Sequence, residues 1–122
     1  MTGRGDPGDD PRCLFCKIVR RELPADEVLR TDRVVAFRDL NPKAPTHLLV
    51  VPTFHVTNFT EFVARAEPAD CAQLLAAASD LGSRFGERGY RVVINEGRDG
   101  GQTVFHLHLH VLAGRRMNWP PG

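Results

Sequence analysis

Residues 104–112 read VFHLHLHVL. Histidine and apolar residues alternate with a period of two. That is the period of a β-strand, whose successive side chains point to opposite faces. His106, His108 and His110 therefore share one face, and Leu107, Leu109 and Val111 pack from the other face onto a core. At a rise of about 3.3 Å per residue, adjacent imidazoles on a straight strand stand roughly 7 Å apart. Two neighbouring rings can converge on one small ligand at that spacing. All three cannot easily reach one metal ion.

Working outward from this strand, YRVVIN (90–95) reads as its partner across the loop EGRDGGQT. THLLVVP (46–52) is a nearly continuous apolar run, which suits a buried central strand. EVLR and RVVAFRD are two short strands joined by a turn. Pro68 suits the first turn of a helix. After it Cys71, Leu74, Leu75, Ala78, Leu81 and Phe85 recur on one helix face, and Gly89 is the expected stop. CLFCKIVRRE (13–22) allows a short helix limited by Pro24. The expected class is α+β, a largely antiparallel sheet with one long and one short helix, because short links suit hairpins better than crossovers.

Residues 1–12, rich in Gly, Asp and Pro, are expected to form a disordered tail, and residues 13–122 one domain. The Arg-Gly-Asp triplet at 4–6 reads as chance composition. The 122 residues suffice for one core. A net charge of +1 gives no electrostatic case for nucleic acid or an anionic membrane as main partner. No apolar run approaches the roughly 18 residues of a membrane span, and the first residues lack the apolar region of a secretory signal. A cytoplasmic location is the expectation. Cys13, Cys16 and Cys71 are an odd count in a chain of this length, which favours metal or free thiols over a disulfide framework.

Three chemistries fit the histidine face: an ordinary polar sheet surface, a catalytic metal site built on a His-x-His pair, and covalent catalysis by a neutral imidazole whose neighbour handles protons. Spacing alone does not choose between the last two. The preceding loop adds Gly97, Gly100 and Gly101, whose backbone N–H groups can turn toward an anion. Asn95, Gln102 and Thr103 add side-chain donors. The Gly-Lys-Ser/Thr ending of a P-loop is absent. Asp39, between a strand and "NP", suits a turn in which it bonds its own backbone.

HLHLHVL matches the His-φ-His-φ-His-φ-φ signature (φ apolar) of the histidine triad (HIT) family. DLNPKAPTHLLVVP, VVINEGRDGGQTVFHLHLHVLAGR and MNWPPG resemble its Hint branch, the nucleoside phosphoramidases. The resemblance runs from about Cys13 to Gly122. It implies a five-stranded antiparallel sheet that dimerises into a ten-stranded one. It also implies a purine nucleotide substrate: hydrolysis of the phosphorus–nitrogen bond of AMP conjugates, or of acyl adenylates, through a nucleotidyl-histidine. The nucleophile it implies is His108, supported by His110, His47 and Thr103. Asn95 and Gly101 match loop positions that contact phosphate, Asp39 the acceptor of the ribose hydroxyls, and Phe15, Ile18, Phe37 and Leu40 the apolar slot for the base; Gln102, a side-chain donor in the same loop, is expected to contact the nucleotide with them. Trp119 matches the C-terminal segment that approaches the partner subunit's site. Within the same superfamily, a non-catalytic nucleotide-binding protein and a dinucleotide polyphosphate hydrolase are alternatives, and WPPG weighs against the latter.

Cys13 and Cys16 form Cys-x-x-Cys without the preceding strand that a thioredoxin-like site requires. Relatives that carry this pair bind structural zinc with the two cysteines, a histidine after the central strand and the first triad histidine. That set corresponds to Cys13, Cys16, His55 and His106. Cys71, on the apolar face of the long helix, is expected to be core.

Overall fold

The computed structural model describes residues 5–122. Arg4 of the Arg-Gly-Asp triplet and the first four residues of the expected tail lie outside the described residues. Eight elements follow in chain order: α1 (Leu14–Val19), β1 (Glu27–Arg30), β2 (Val34–Arg38), β3 (Thr46–Pro52), α2 (Phe59–Arg65), α3 (Pro68–Phe85), β4 (Tyr90–Ile94) and β5 (Leu109–Ala113). The five strands form one sheet in the order β1-β2-β3-β5-β4, with every neighbouring pair antiparallel.

The run at 46–52 is apolar throughout because β3 is covered on both faces. Leu48 and Val50 join Val34, Ala36, Leu109 and Val111 in the core beneath α3. Leu49 and Val51 join Val35 and Phe37 beneath Phe15, Ile18 and Val19 of α1. Burying such a side chain contributes about 1.5–3 kcal/mol. The alternation of the strands thus sorts each side chain to one of two helices, and the site lies on the α1 side.

The long helix carries a reciprocal cap, with Glu67 and Asp70 each bonding the other's backbone, and Pro68 in its first turn. Its buried face is Leu74, Ala77, Ala78, Leu81 and Gly82. Leu75 was expected on that face but is exposed, because one residue further on is a 100° rotation. The helix ends at Phe85 with Gly86 as its cap, earlier than Gly89. A second short helix, α2, forms where no element was expected. Asn58 caps it, accepting from the Glu61 N–H.

The histidine stretch differs from a strand starting at residue 104. Pairing begins only at Leu109, because residues 104–108 follow a bend. The alternation of faces survives the bend: Leu107, Leu109 and Val111 all enter the α3 core. Within the segment expected as a tail, Pro7 bridges to Phe54 and the Gly8 N–H donates to the Thr53 carbonyl. Those contacts seat residues 7 and 8 on the body of the domain. Among the described residues no helix is long and apolar enough to cross a membrane.

Candidate active site and metal centre

A cavity of about 660 Å³ opens on the α1 side of the sheet. Phe15, Ile18, Phe37 and Leu49 make an apolar wall. Asp39, His47, Thr103, His108 and His110 bring polar groups to the opposite wall. A largely apolar cleft with a few convergent polar groups is the usual form of a small-molecule site.

Strand register explains why the histidines meet. His47 of β3 pairs with Leu112 and Leu49 with His110, so His47 and His110 are diagonal neighbours on the same face. Their rings are 5.2 Å apart, and His108 and His110 are 5.0 Å apart. Phe15 stands edge-on to His108 at 5.2 Å and to Phe37 at 5.4 Å.

The hydrogen bonds assign the protons. His108 Nδ1 lies 2.9 Å from the His106 carbonyl oxygen, which can only accept. Nδ1 therefore carries the proton and donates it, leaving Nε2 with a free lone pair. Burial holds the His108 pKa below that of an ordinary histidine, so the ring is neutral at pH 7. His47 Nδ1 accepts from the Lys43 backbone N–H at 3.0 Å. His47 Nε2 must then carry the proton, and it donates to His110 Nδ1 at 2.9 Å. By the same logic the proton of His110 sits on Nε2, a buried atom with no hydrogen-bond partner among the described residues. Burial pushes His110 down to about 4, and the adjacent His108 and His47 add to the shift. Burial also lowers His47, partly offset by the Asp39 carboxylate, whose Oδ2 is 3.4 Å from His47 Nε2. The result is a free lone pair on His108 beside an unused N–H on His110.

Asp39 also closes a turn by accepting from the Asn41 N–H at 2.8 Å. The turn use read from the sequence and a place at the cavity are thus compatible. Leu40 lines the cavity but is 97% exposed, at its rim. Asn95, Gly101, Gln102 and Trp119 do not line it, and Trp119 is 82% exposed. The sequence reading did not single out Leu14, Leu23, Pro24, Ala25, Asn41, Lys43, Leu49 or Val104 as lining residues. Lys43 matters through its backbone N–H, which no side-chain motif reveals.

His106 takes a different course. Although it shares the α1 side with the other two, its side chain is fully buried and its Nδ1 faces Cys13 Sγ at 3.3 Å and Cys16 Sγ at 3.6 Å. His55 Nδ1 faces Cys16 Sγ at 3.5 Å. One ligand atom from each of the four residues lies within 4.8 Å of all the others. Ligands of a tetrahedral zinc ion, at about 2.0–2.3 Å from the metal, stand roughly 3.3–3.8 Å apart. The donor set fits such an ion on chemistry as well as distance. His106 Nε2 donates to the Pro52 carbonyl at 2.8 Å, which leaves Nδ1 unprotonated toward the sulfurs. The Cys16 N–H points at Cys13 Sγ at 3.3 Å. Cys13 is drawn down to about 3, chiefly by the Cys16 side chain and then by His106, while Cys16 is raised by the same contact and by burial. Cys71 packs partly buried against the α3 core, apart from this cluster.

A HIT domain family model matches residues 20–117. The chain belongs to the HIT family. The chain is 45% identical over 118 residues to a maize protein named "14 kDa zinc-binding protein", covering 93% of this chain and 91% of that one. An uncharacterized HIT-like protein of Synechococcus elongatus is 47% identical over 110 residues, covering 89% and 96%. Among solved structures, a HIT family hydrolase from Legionella pneumophila superposes with a TM-score of 0.82 at 44% identity, covering 91% of this chain and all of that one. A histidine triad protein from Clostridium difficile gives 0.80 at 37% identity, covering 90% and 96%. The resemblance read from HLHLHVL is thereby confirmed, and the five-stranded antiparallel sheet is the HIT fold.

Proposed function

We propose that this HIT protein is a hydrolase of purine nucleoside phosphoramidates and adenylates, working through a nucleotidyl-histidine. The observation that carries the reading is the His108 Nδ1–His106 carbonyl hydrogen bond at 2.9 Å, which leaves Nε2 as a neutral nucleophile inside the cavity. The base lies in the slot of Phe15, Ile18, Phe37 and Leu49, with Leu40 at its rim. Asp39 accepts the ribose hydroxyls.

In the first step His108 Nε2 bonds to the α-phosphorus as the phosphorus–nitrogen bond breaks. The leaving nitrogen takes a proton from the donors at hand, His110 Nε2–H or the Thr103 hydroxyl. The donor stays one proton short until the second step returns it, and His110 would be held meanwhile by its bond from His47 Nε2–H. The charge on the imidazole ring is met by the His106 carbonyl. Developing charge on the phosphoryl oxygens is met by fixed donors, which need no reorganisation. In the second step water attacks phosphorus, loses its proton to the same relay and releases AMP with neutral His108. Asn95, Gly101 and Trp119 lie outside the cavity of this single chain, and their proposed contacts follow from the family resemblance.

Bound at Cys13, Cys16, His55 and His106, zinc would supply structural cross-linking between the first turn of α1, the segment after β3 and the residues leading into β5. This assignment is supported by the donor geometry and the name of the maize relative. Zinc there would hold the ring of His106, whose carbonyl accepts from His108 Nδ1. We also propose the homodimer with a ten-stranded sheet. Among the described residues nothing pairs with the outer edge of β4, and Tyr90 and Val92 on it are exposed, as is Leu75 on the helix packed beside it.

Adenosine 5′-phosphoramidate is the test substrate. His108→Ala should abolish turnover while AMP still binds, and mass spectrometry of the quenched wild-type reaction should find AMP on His108. AMP binding without cleavage by wild-type protein would leave a non-catalytic nucleotide binder. Loss of turnover on chelation with the fold intact would favour metal-dependent hydrolysis instead.

A further inference from the structure

The glycine-rich loop contains one side chain that faces away from the cavity and yet is almost wholly buried, Gln102, at 6% exposure. Every polar atom of its amide has a partner. Oε1 accepts from the Gly97 N–H at 3.0 Å. Nε2 donates to the Thr57 carbonyl at 2.6 Å and to the Val104 carbonyl at 3.1 Å. Its backbone N–H donates to the Gly97 carbonyl at 3.0 Å. Exchanging the amide's N and O would set like against like at all three side-chain contacts, so the orientation is determined.

These bonds bracket one residue. Thr103, the loop residue that lines the cavity, has Gln102 on one side, tied to Gly97, and Val104 on the other, its carbonyl held by the Gln102 side chain. Gly97 and Gly101 reach this geometry with φ of +73° and +85°, which glycine adopts without strain. The platform below is rigid in its turn. Glu96 accepts from the backbone N–H and hydroxyl of Thr60 at 2.9 and 2.8 Å. The Leu107 N–H donates to the Val56 carbonyl at 2.8 Å. The loop is thus stapled to residues 56–60 at Glu96, Gln102 and Leu107.

We infer that Gln102 is a positioning residue: it touches no substrate and acts on the transfer step by holding the Thr103 hydroxyl at the cavity wall. This rests on the proposed hydrolase reading. It differs from the nucleotide contact expected of Gln102 as a side-chain donor in the loop, because both donors of its amide are engaged by the Thr57 and Val104 carbonyls.

Two variants test it. Gln102→Ala removes all the side-chain bonds. Gln102→Glu keeps an acceptor for Gly97 but loses both donors. Each should lower kcat by about tenfold or more, the rate equivalent of one lost hydrogen bond of about 1.4 kcal/mol. AMP affinity should change less than threefold. In a Thr103→Val background either change should cost little further, because coupled residues are not additive. Amide exchange at Gly97 should speed up in Gln102→Ala and stay slow in Gln102→Glu. Additive losses in kcat, or AMP affinity falling in step with kcat, would overturn the inference. So would unchanged Gly97 exchange in Gln102→Ala, whatever the protein turns over. Wild-type protein that binds AMP but cleaves no phosphoramidate would sink the hydrolase reading instead, while the exchange result still judges the clamp.

Discussion

His47 Nε2 lies 2.9 Å from His110 Nδ1, and the opposite nitrogen of His47 accepts from the Lys43 backbone. This chain of bonds leaves a single proton arrangement in which both rings are neutral and His110 presents an N–H. The two rings reach each other because β3 and β5 are adjacent in the sheet while 63 residues separate them in sequence.

Acid should break this arrangement. His47 and His110 have folded pKa values below the ordinary 6.5, so below 6.5 the unfolded chain binds more protons than the folded one. Their contribution to stability is complete above 6.5 and is lost as pH falls through the folded value of about 4 for His110. Thermal melts across this range should show a falling midpoint. In His110→Gln the fall should be shallower, because the group with the largest of these shifts is gone.

Removing the metal donors should destabilise the protein without touching the cavity directly. Metal analysis of purified protein should give one zinc per chain, and Cys16→Ser should lose it. An ion held at a hundred times its Kd contributes about 2.7 kcal/mol, so the denaturation midpoint should drop by at least that equivalent. Protein purified free of zinc and equally stable with or without added zinc would refute the assignment.

Phe15 tests the link between the two helices' cores and the site. It packs edge-on against Phe37, His106 and His108 and is 4% exposed. Phe15→Ala should cost about 3–5 kcal/mol in chemical denaturation. AMP affinity should fall with it, since the same ring walls the cavity.

Leu81 is the control for that experiment. It is fully buried on the face of α3 that packs against the sheet, on the side away from the cavity. Leu81→Ala should cost about 2–5 kcal/mol while AMP affinity at low temperature stays unchanged. An equal loss of affinity in both variants would remove the distinction between the two cores.

The dimer is tested at the free edge of β4. Val92→Lys places a charge among its exposed apolar residues, and charged residues blunt exposed edges. Sedimentation should show a dimer for the wild type and a shift toward monomer for the variant. Monomeric wild-type protein would rule the dimer out.

The local pattern determined much of this protein. Alternation in 104–112 assigned Leu107, Leu109 and Val111 to the core, and periodicity after Pro68 located α3. Both signals survive folding because side-chain direction along a strand or helix is set by local backbone geometry. The motif HLHLHVL carried the family for the same reason, being a contiguous string. Tertiary structure decided what each histidine does. His106, His108 and His110 share a residue type and a parity, yet α1 delivers Cys13 and Cys16 to the first, the His106 carbonyl orients the second, and β3 brings His47 to the third. Gln102 reads in sequence as a loop side-chain donor, and in the fold it is buried with both amide donors taken by the Thr57 and Val104 carbonyls. Partners that come from 45 or more residues away leave no mark on the letters beside them; His108 is the exception, its proton fixed by a carbonyl two residues before it.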